Sequence, residues 1–441
     1  MTKKIVLLGA GRSSSYLVDY LYNNKTKLNI SLSVISDKKP KFIDDKYEDL
    51  LFNDLDIRNK NEIKTFIKNS FLVISLLPPI YHYQIAEICS EFGINMITAS
   101  YLDEKIKSLE KSFKESNSFL FMEMGLDPGI DHMSAMKIIN RLKVDSEILE
   151  FESYTGGLVK DSGERNPWGY KFTWNPMNVV LAGIDDARYI ENSQIKSVLY
   201  KDIFKDYKVI KFPHKQYEGY PNRDSTKYKK LYKLDNIKTL RRGTLRNKGF
   251  CDTWDLLISL GLTDNRKIIS NNNQLTYFDF FSYNMSEESL DQINLKLESD
   301  FNIKKNSIVY KNLEWSGFFS DKKIKLKKGF YSEFLLEILN DKWQLNSNDI
   351  DVIIMSHSFI FRRDNILKKM ESFLEVEGDD SLNTAMAKTV GMPIALLVDY
   401  IINNNFKSPG IHLPFEKNIY EFILKKMDSL GIRFDEIETN I

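Results

Sequence analysis

The stretch Val6-Leu7-Leu8-Gly9-Ala10-Gly11-Arg12-Ser13-Ser14-Ser15-Tyr16-Leu17 decides how the rest of the chain is read. Residues 4–8, KIVLL, form an apolar run of the kind that fills a parallel strand buried on both faces. After the glycines, Tyr16, Leu17, Tyr20 and Leu21 recur at helical spacing. A strand, a glycine turn and a helix in that order make a cradle for a pyrophosphate. Gly9 permits the tight turn, Gly11 lets a phosphate approach the backbone, and the helix start offers unpaired N–H groups at the positive end of its dipole. Ser14 stands where the usual G-x-G-x-x-G has its third glycine. It is small enough to keep helix and strand close, and its hydroxyl is expected to cap the helix or touch phosphate.

Working outward, ISLSVIS (30–36), FLVISLL (71–77), INMITAS (94–100) and SFLFMEMG (118–125) read as further strands, with helices over about 81–92 and 103–115. Strands alternating with helices predict an α/β fold with a doubly wound parallel sheet of the Rossmann type. Strand two ends in Ser36-Asp37-Lys38-Lys39. A carboxylate there accepts bonds from ribose hydroxyls, which favours NAD through Asp37, whereas Lys38 and Lys39 would attract the 2′-phosphate of NADP. Past residue 128 the connections lengthen. FESYTGG (151–157), FFSYN (280–284) and DVIIMSHSF (351–359) read as strands, and 185–245 shows no clean period. The expected division is a dinucleotide-binding domain over 1–127, a mixed α/β substrate-binding and dimerisation domain over 128–383, and C-terminal helices over 384–441. The apolar segment 384–402 is read as a helix packed on the sheet.

The composition excludes several classes. With 441 residues, 42% hydrophobic and 28% charged, the chain can bury a large core. A net charge of +1 gives no field for nucleic acid or an anionic membrane. Two cysteines, Cys89 and Cys251, suit neither a disulfide scaffold nor a multi-cysteine metal site. The apolar run after Lys3 and Lys4 is too short for a signal peptide, and no stretch is expected to reach a membrane span. The expectation is a cytoplasmic enzyme with a small-molecule substrate, no metal, and a homodimer made plausible by apolar segments such as 390–402.

Six further segments carry a resemblance: MEMGLDPGIDHMSAMK (122–137), YTGGL (154–158), NPWGYKFTWNP (166–176), YPNRDST (220–226), RRGTLRNKGF (241–250) and AMAKTVGMPIAL (385–396). In this order and over nearly the whole length, the chain resembles the saccharopine dehydrogenase (L-glutamate-forming) family. The resemblance implies an inserted substrate domain, with the C-terminal helices over 384–441 returning to complete the Rossmann domain. It implies reduction of the imine of glutamate and 2-aminoadipate 6-semialdehyde to saccharopine with a nicotinamide cofactor, or the reverse. It implies a cofactor surface of Gly9, Gly11, Arg12, Ser13, Ser14, Ser36, Asp37, Lys38, Asp56, Ile57, Leu76, Ser100, Leu126 and Asp127. It also implies substrate contacts at Ser100, Tyr101, Asp127, Arg223, Gly243, Thr244, Leu245 and Arg246. Asp37 departs from the fungal members, which carry arginine near that place and use NADP.

The residues suit that substrate. Three carboxylates need cationic partners when buried, and an arginine fork grips a carboxylate at two points, which singles out Arg223 and Arg246. Asp127, between Leu126 and Pro128-Gly129, is fixed by its turn and is expected at the substrate amine, with helix capping as the alternative. The acid–base group stays open among Asp127, His132, Lys171 and His82. Asp161, Glu164 and Arg165 read as a solvated loop. Two rival readings remain: a related imine reductase such as carboxynorspermidine dehydrogenase, disfavoured by the arginines, and a cofactor-binding homologue without turnover.

Overall fold

The computed structural model describes residues 2–43, 47, 50–160, 166–271 and 274–441. Asp161, Glu164 and Arg165 lie outside them. The chain forms two compact units, residues 1–145 with 374–435, and 146–373 with 436–441.

The first unit begins with strand β1 (Lys3–Leu8), whose Ile5 to Leu8 are fully buried. Helix Ser15–Asn23 follows the glycine turn and buries Leu17, Val18 and Leu21 on one face. Then come β2 (Ile30–Ile35), β3 (Leu51–Asn53), β4 (Leu72–Ser75), β5 (Asn95–Thr98) and β6 (Phe119–Phe121). Between β4 and β5, helix Pro79–Phe92 starts on a proline and stops at Gly93, whose φ of +65° suits the left-handed C-terminal position. These strands pair in parallel in the order 3-2-1-4-5-6. The order reverses between β1 and β4, the place where open sheets of this kind take ligands.

The second unit is built on β7 (Glu147–Val159), β8 (Ala187–Glu191), β9 (Gln194–Val198), β10 (Lys208–Lys211), β11 (Gln216–Pro221) and β12 (Thr239–Arg246). A short pair, β13 (Ile268–Ile269) and β14 (Gly329–Phe330), stands apart. The long strands β15 (Asp351–Arg363) and β16 (Ile366–Glu377) complete the main run. The sheet runs β10-β11-β12-β7-β15-β16 and ends in β18 (Phe434–Asn440), with β8 and β9 attached beside β12. β12 and β7 are parallel and the neighbouring pairs antiparallel, so the sheet is mixed. Its aromatic core includes Trp168, Trp254, Trp343, Tyr170 and Phe250.

The chain re-enters the first unit through helix Ala385–Asn403, strand β17 (Gly410–His412) and helix Lys417–Ser429. β17 adds in parallel to the outer side of β6. Residues 374–435 belong to the first unit and 436–441 to the second. The first boundary falls at Asp145, not 127, because helix Ile130–Leu142 buries Ile130, Met133, Ile138, Ile139 and Leu142 within the first unit.

Three further expectations are corrected. Residues 280–284 are helical, inside Tyr277–Met285, because Thr276 and Asp279 form a capping box and Tyr277, Phe280, Phe281 and Met285 are buried at helical spacing. The patternless 185–245 region holds β8 to β12. β9 is almost wholly exposed and β12 almost wholly buried, so neither alternates. By length and composition Ala385–Asn403 is able to cross a membrane, although 78% of its apolar window is buried within the protein.

Helix Ala385–Asn403 supports the opening helix at close quarters. A Cβ on Gly391 would stand 3.1 Å from Leu17 N and 3.2 Å from Ser13 O. Gly391→Val is therefore expected to cost about 1–3 kcal/mol through overpacking. A melting temperature several degrees below wild type is the expected reading, and an unchanged one would contradict this close packing.

Candidate functional site

The site in the first unit is assembled along the carboxyl edge of its parallel sheet. Gly9 leaves β1 at φ +86°, with its N–H donating to Ile35 O at 2.8 Å. Leu76 N donates to Leu8 O at 2.9 Å, so the ends of β1, β2 and β4 are tied together around the turn. Ala10 N donates to Ser36 Oγ at 3.4 Å. A Cβ at Gly9 would meet Leu76 O at 3.0 Å, whereas one at Gly11 would meet no protein atom within 4 Å. Gly11 thus faces open space where a pyrophosphate fits against the helix start. Ser14 is fully buried, and its hydroxyl donates to Gly11 O at 2.7 Å. It ties the turn and does not cap the helix, which corrects the expected capping.

The remaining cofactor candidates lie along the same edge. Arg12 and Ser13 sit in the turn, and Asp37 and Lys38 are exposed just past β2. Asp56 and Ile57 follow β3. The Asp56 carboxylate is gripped by Arg58 Nε at 2.8 Å and Nη2 at 2.9 Å, which holds its pKa below the ordinary carboxylate value. Leu126 is buried beside Asp127.

Past β5 and β6, two segments are laced together. Met124 N donates to Thr98 O at 3.1 Å, and Glu123 N to Ser100 O at 3.0 Å. Leu102 N donates to Glu123 Oε1 at 3.0 Å, and the Tyr101 hydroxyl to Asp127 Oδ1 at 2.6 Å. Glu123 is buried and holds φ at +60°, a conformation that costs a non-glycine residue on the order of 1–3 kcal/mol and persists only where surrounding bonds fix it. Sequence reasoning missed Glu123, since nothing local marks its φ.

His132 is fully buried, with Nε2 at 2.9 Å from Glu123 Oε2, Nδ1 at 3.4 Å from Asp131 Oδ2, and its ring edge against Phe415. It serves as packing behind the site, away from solvent. His82 Nδ1 lies 3.0 Å from Ser75 Oγ, and its Nε2 lies 2.6 Å from Ser100 Oγ. Burial pushes its pKa down to about 4, against an opposing pull from Asp103. His82 is therefore neutral near pH 7 and poorly matched to proton transfer there.

In the second unit, Arg223 is exposed, adopts φ +56° in an irregular loop, and lies 3.6 Å from Asp185. Thr244 is half-buried in β12 between buried Gly243 and Leu245. A Cβ at Gly243 would strike Tyr220 O at 2.4 Å, so that position is closed to larger residues. Arg246 is buried, its guanidinium over Tyr170 and Phe250 at 4.8 and 5.0 Å, and Nη1 donates to Leu245 O at 2.9 Å. Lys171 is buried with Nζ 2.6 Å from Asp349 Oδ2. That ion pair holds the amine in the core. No group of three or more His, Cys, Asp or Glu with metal-binding geometry occurs among the described residues.

Comparison with known proteins places this architecture. Residues 5–120 match the saccharopine dehydrogenase NADP binding domain, and residues 125–432 the saccharopine dehydrogenase C-terminal domain. The chain belongs to the saccharopine dehydrogenase family. It is 32% identical to the mitochondrial alpha-aminoadipic semialdehyde synthase of Rattus norvegicus, over 99% of this chain and 48% of that protein. It is 28% identical to the saccharopine dehydrogenase [NADP(+), L-glutamate-forming] of Saccharomyces cerevisiae, over 99% of both. The chain thus spans about half the length of its mammalian relatives and nearly all of the yeast one. The apo saccharopine dehydrogenase structure from Saccharomyces cerevisiae superposes with a TM-score of 0.87 at 26% identity, covering 99% of this chain and 100% of that one. A homospermidine synthase from Legionella pneumophila shares the fold at 11% identity and a TM-score of 0.58, covering 100% of this chain and 92% of that one. The first unit is a nicotinamide-dinucleotide domain, and the preference for NAD read from Asp37 finds no support.

Two outcomes follow from this geometry. A Cβ on Gly11 meets no protein atom within 4 Å, so in Gly11→Val the melting temperature should stay close to the wild-type value while dinucleotide affinity in a fluorescence titration falls at least about tenfold. Parallel loss of stability and affinity would contradict the open-cradle reading. For His82 the folded pKa lies below the ordinary 6.5, so the unfolded chain takes up a proton that the folded chain refuses. That stabilisation is complete above about pH 6.5 and is lost as pH falls toward 4, an effect of about 3 kcal/mol. The melting temperature of His82→Gln should decline less steeply than wild type between these limits, and identical slopes would contradict the shift.

Proposed function

We propose that the chain is a saccharopine dehydrogenase or reductase, interconverting saccharopine with L-glutamate and 2-aminoadipate 6-semialdehyde at a C–N bond. The observation that carries this reading is the Tyr101–Asp127 hydrogen bond at 2.6 Å, on the same sheet edge as the open glycine turn. A hydroxyl bonded to a carboxylate can pass a proton, and this pair stands on the edge proposed to take the dinucleotide. The full-length match to the yeast enzyme supports the substrate class.

When bound, the nicotinamide supplies a hydride acceptor or donor at its C4. The chain's residues do the rest. Gly9, Gly11 and the N–H groups opening helix Ser15–Asn23 hold the pyrophosphate. In the oxidative direction, the Asp127 carboxylate with the Tyr101 hydroxyl accepts the proton of the bridging secondary amine as its C–N bond is oxidised. The pair then returns that proton to the imine nitrogen, and the regenerated carboxylate takes the proton of the attacking water and passes it to the departing glutamate amine; in the reductive direction the same transfers run in reverse. Arg223 and Arg246 pair with substrate carboxylates. The cofactor is read as NADP, with Lys38 and Lys39, exposed after β2, drawn to the 2′-phosphate.

Arg223 gives the direct test of the substrate reading. Arg223→Ala should lower kcat/KM for saccharopine by roughly 30- to several-thousand-fold, the loss of a charge-assisted pair worth about 2–5 kcal/mol. Arg223→Lys should recover only part, because an ammonium cannot form the two-point fork. Dinucleotide affinity should stay at the wild-type level. A native kcat/KM in Arg223→Ala would remove this arginine from the site.

A further inference from the structure

We propose that His82 is a positioning residue which fixes the direction of the Ser100 hydroxyl toward substrate. The inference rests on the reading above that Ser100 meets substrate. Three elements converge on the ring. Ser75 is the last residue of β4, His82 lies in the first turn of helix Pro79–Phe92, and Ser100 stands two residues past the end of β5. The imidazole spans them, with Nδ1 at 3.0 Å from Ser75 Oγ and Nε2 at 2.6 Å from Ser100 Oγ, and Thr98 Oγ1 lies farther off at 3.4 Å.

The main chain of Ser100 is held without His82. Its N–H donates to Thr98 Oγ1 at 3.3 Å, and its carbonyl accepts from Glu123 N at 3.0 Å. Only the side-chain hydroxyl depends on the imidazole. The ring is buried while Ser100 is half-buried, so the hydroxyl joins an interior group to the open edge of the sheet. Packing alone does not account for the 2.6 Å contact, since Ser75 and Thr98 already offer partners to the ring.

The chemistry makes the contact directional. A neutral imidazole has one N–H donor and one lone-pair acceptor, and a serine hydroxyl has one donor. Whichever tautomer the ring holds, the bond to Nε2 sets whether Ser100 offers its hydrogen or its lone pairs to an incoming group. Burial and the positive end of the helix dipole both oppose a second ring proton, so the assignment holds near neutral pH. A ligand carboxylate or ammonium therefore meets a hydroxyl of fixed polarity in place of a free rotor.

The test is a double-mutant cycle in the full-length chain, read as KM and kcat/KM for saccharopine with the dissociation constant of NADP beside them. Asparagine keeps a polar atom near the Nδ1 position and withdraws from Ser100, while glutamine reaches the Nε2 position. His82→Asn should lower kcat/KM for saccharopine about tenfold, mainly through KM, with NADP affinity within about twofold of wild type. His82→Gln should recover part of the loss. In a Ser100→Ala background the effect of His82→Asn should shrink to under about twofold, because the hydroxyl it positions is gone. Equal losses in both backgrounds, or a matching loss of NADP affinity, would overturn the proposal. Native saccharopine kinetics in Ser100→Ala would overturn the substrate reading of Ser100, and the proposal with it.

Discussion

The hydrogen bonds Gly9 N to Ile35 O and Leu76 N to Leu8 O close the carboxyl ends of β1, β2 and β4 around one turn. Every feature of the first unit leans on that closure. It satisfies the backbone where the strands run out, so the chain can leave the sheet without burying unpaired polar groups. It also aims helix Ser15–Asn23 with its free N–H groups toward the edge. Gly391 on the returning helix and the inward hydroxyl of Ser14 brace the turn from behind, and the space in front of Gly11 is left to a ligand.

The proposed chemistry sits on the same edge. Residues 98–102 and 123–127 are laced by backbone bonds and by the Glu123 carboxylate, and the pair so fixed is Tyr101 with Asp127. Interior groups set this arrangement without touching reactants. Glu123 and His132 stand behind Leu102, and His82 stands behind Ser100. This is a rigid scaffold whose outermost side chains are held by a second row of buried polar bonds. Such an arrangement favours orientation of reacting groups over strong binding of the ground state.

Much of this was legible in the sequence, and the parts that were not failed for physical reasons. The strand, turn and helix of residues 3–23 declare themselves because a buried parallel strand is continuously apolar and the helix has one buried face. Residues 280–284 misled because five aromatic and polar residues fit either period, and the deciding signal, Thr276 and Asp279, lies upstream. β12 hid because Arg241, Arg242 and Arg246 are buried against aromatic rings, giving it no polar face. At the site, the open cradle at Gly11 and the turn around Asp127 were readable. The burial of Lys171 against Asp349 was not, since its partner is far away in sequence. Nor was the positive φ of Glu123 or the bridge from His82, because both arise only when separate strands end side by side.

We propose that this scaffold couples a nicotinamide dinucleotide to the C–N bond of saccharopine. The measurement that tests it most directly is the absorbance of reduced nicotinamide during incubation of the purified chain with saccharopine and NADP, with glutamate quantified in parallel. The account predicts that reduced cofactor and glutamate appear in equal amounts, with a higher kcat/KM for NADP than for NAD. Saturable NADP binding without any saccharopine-dependent reduction would contradict it.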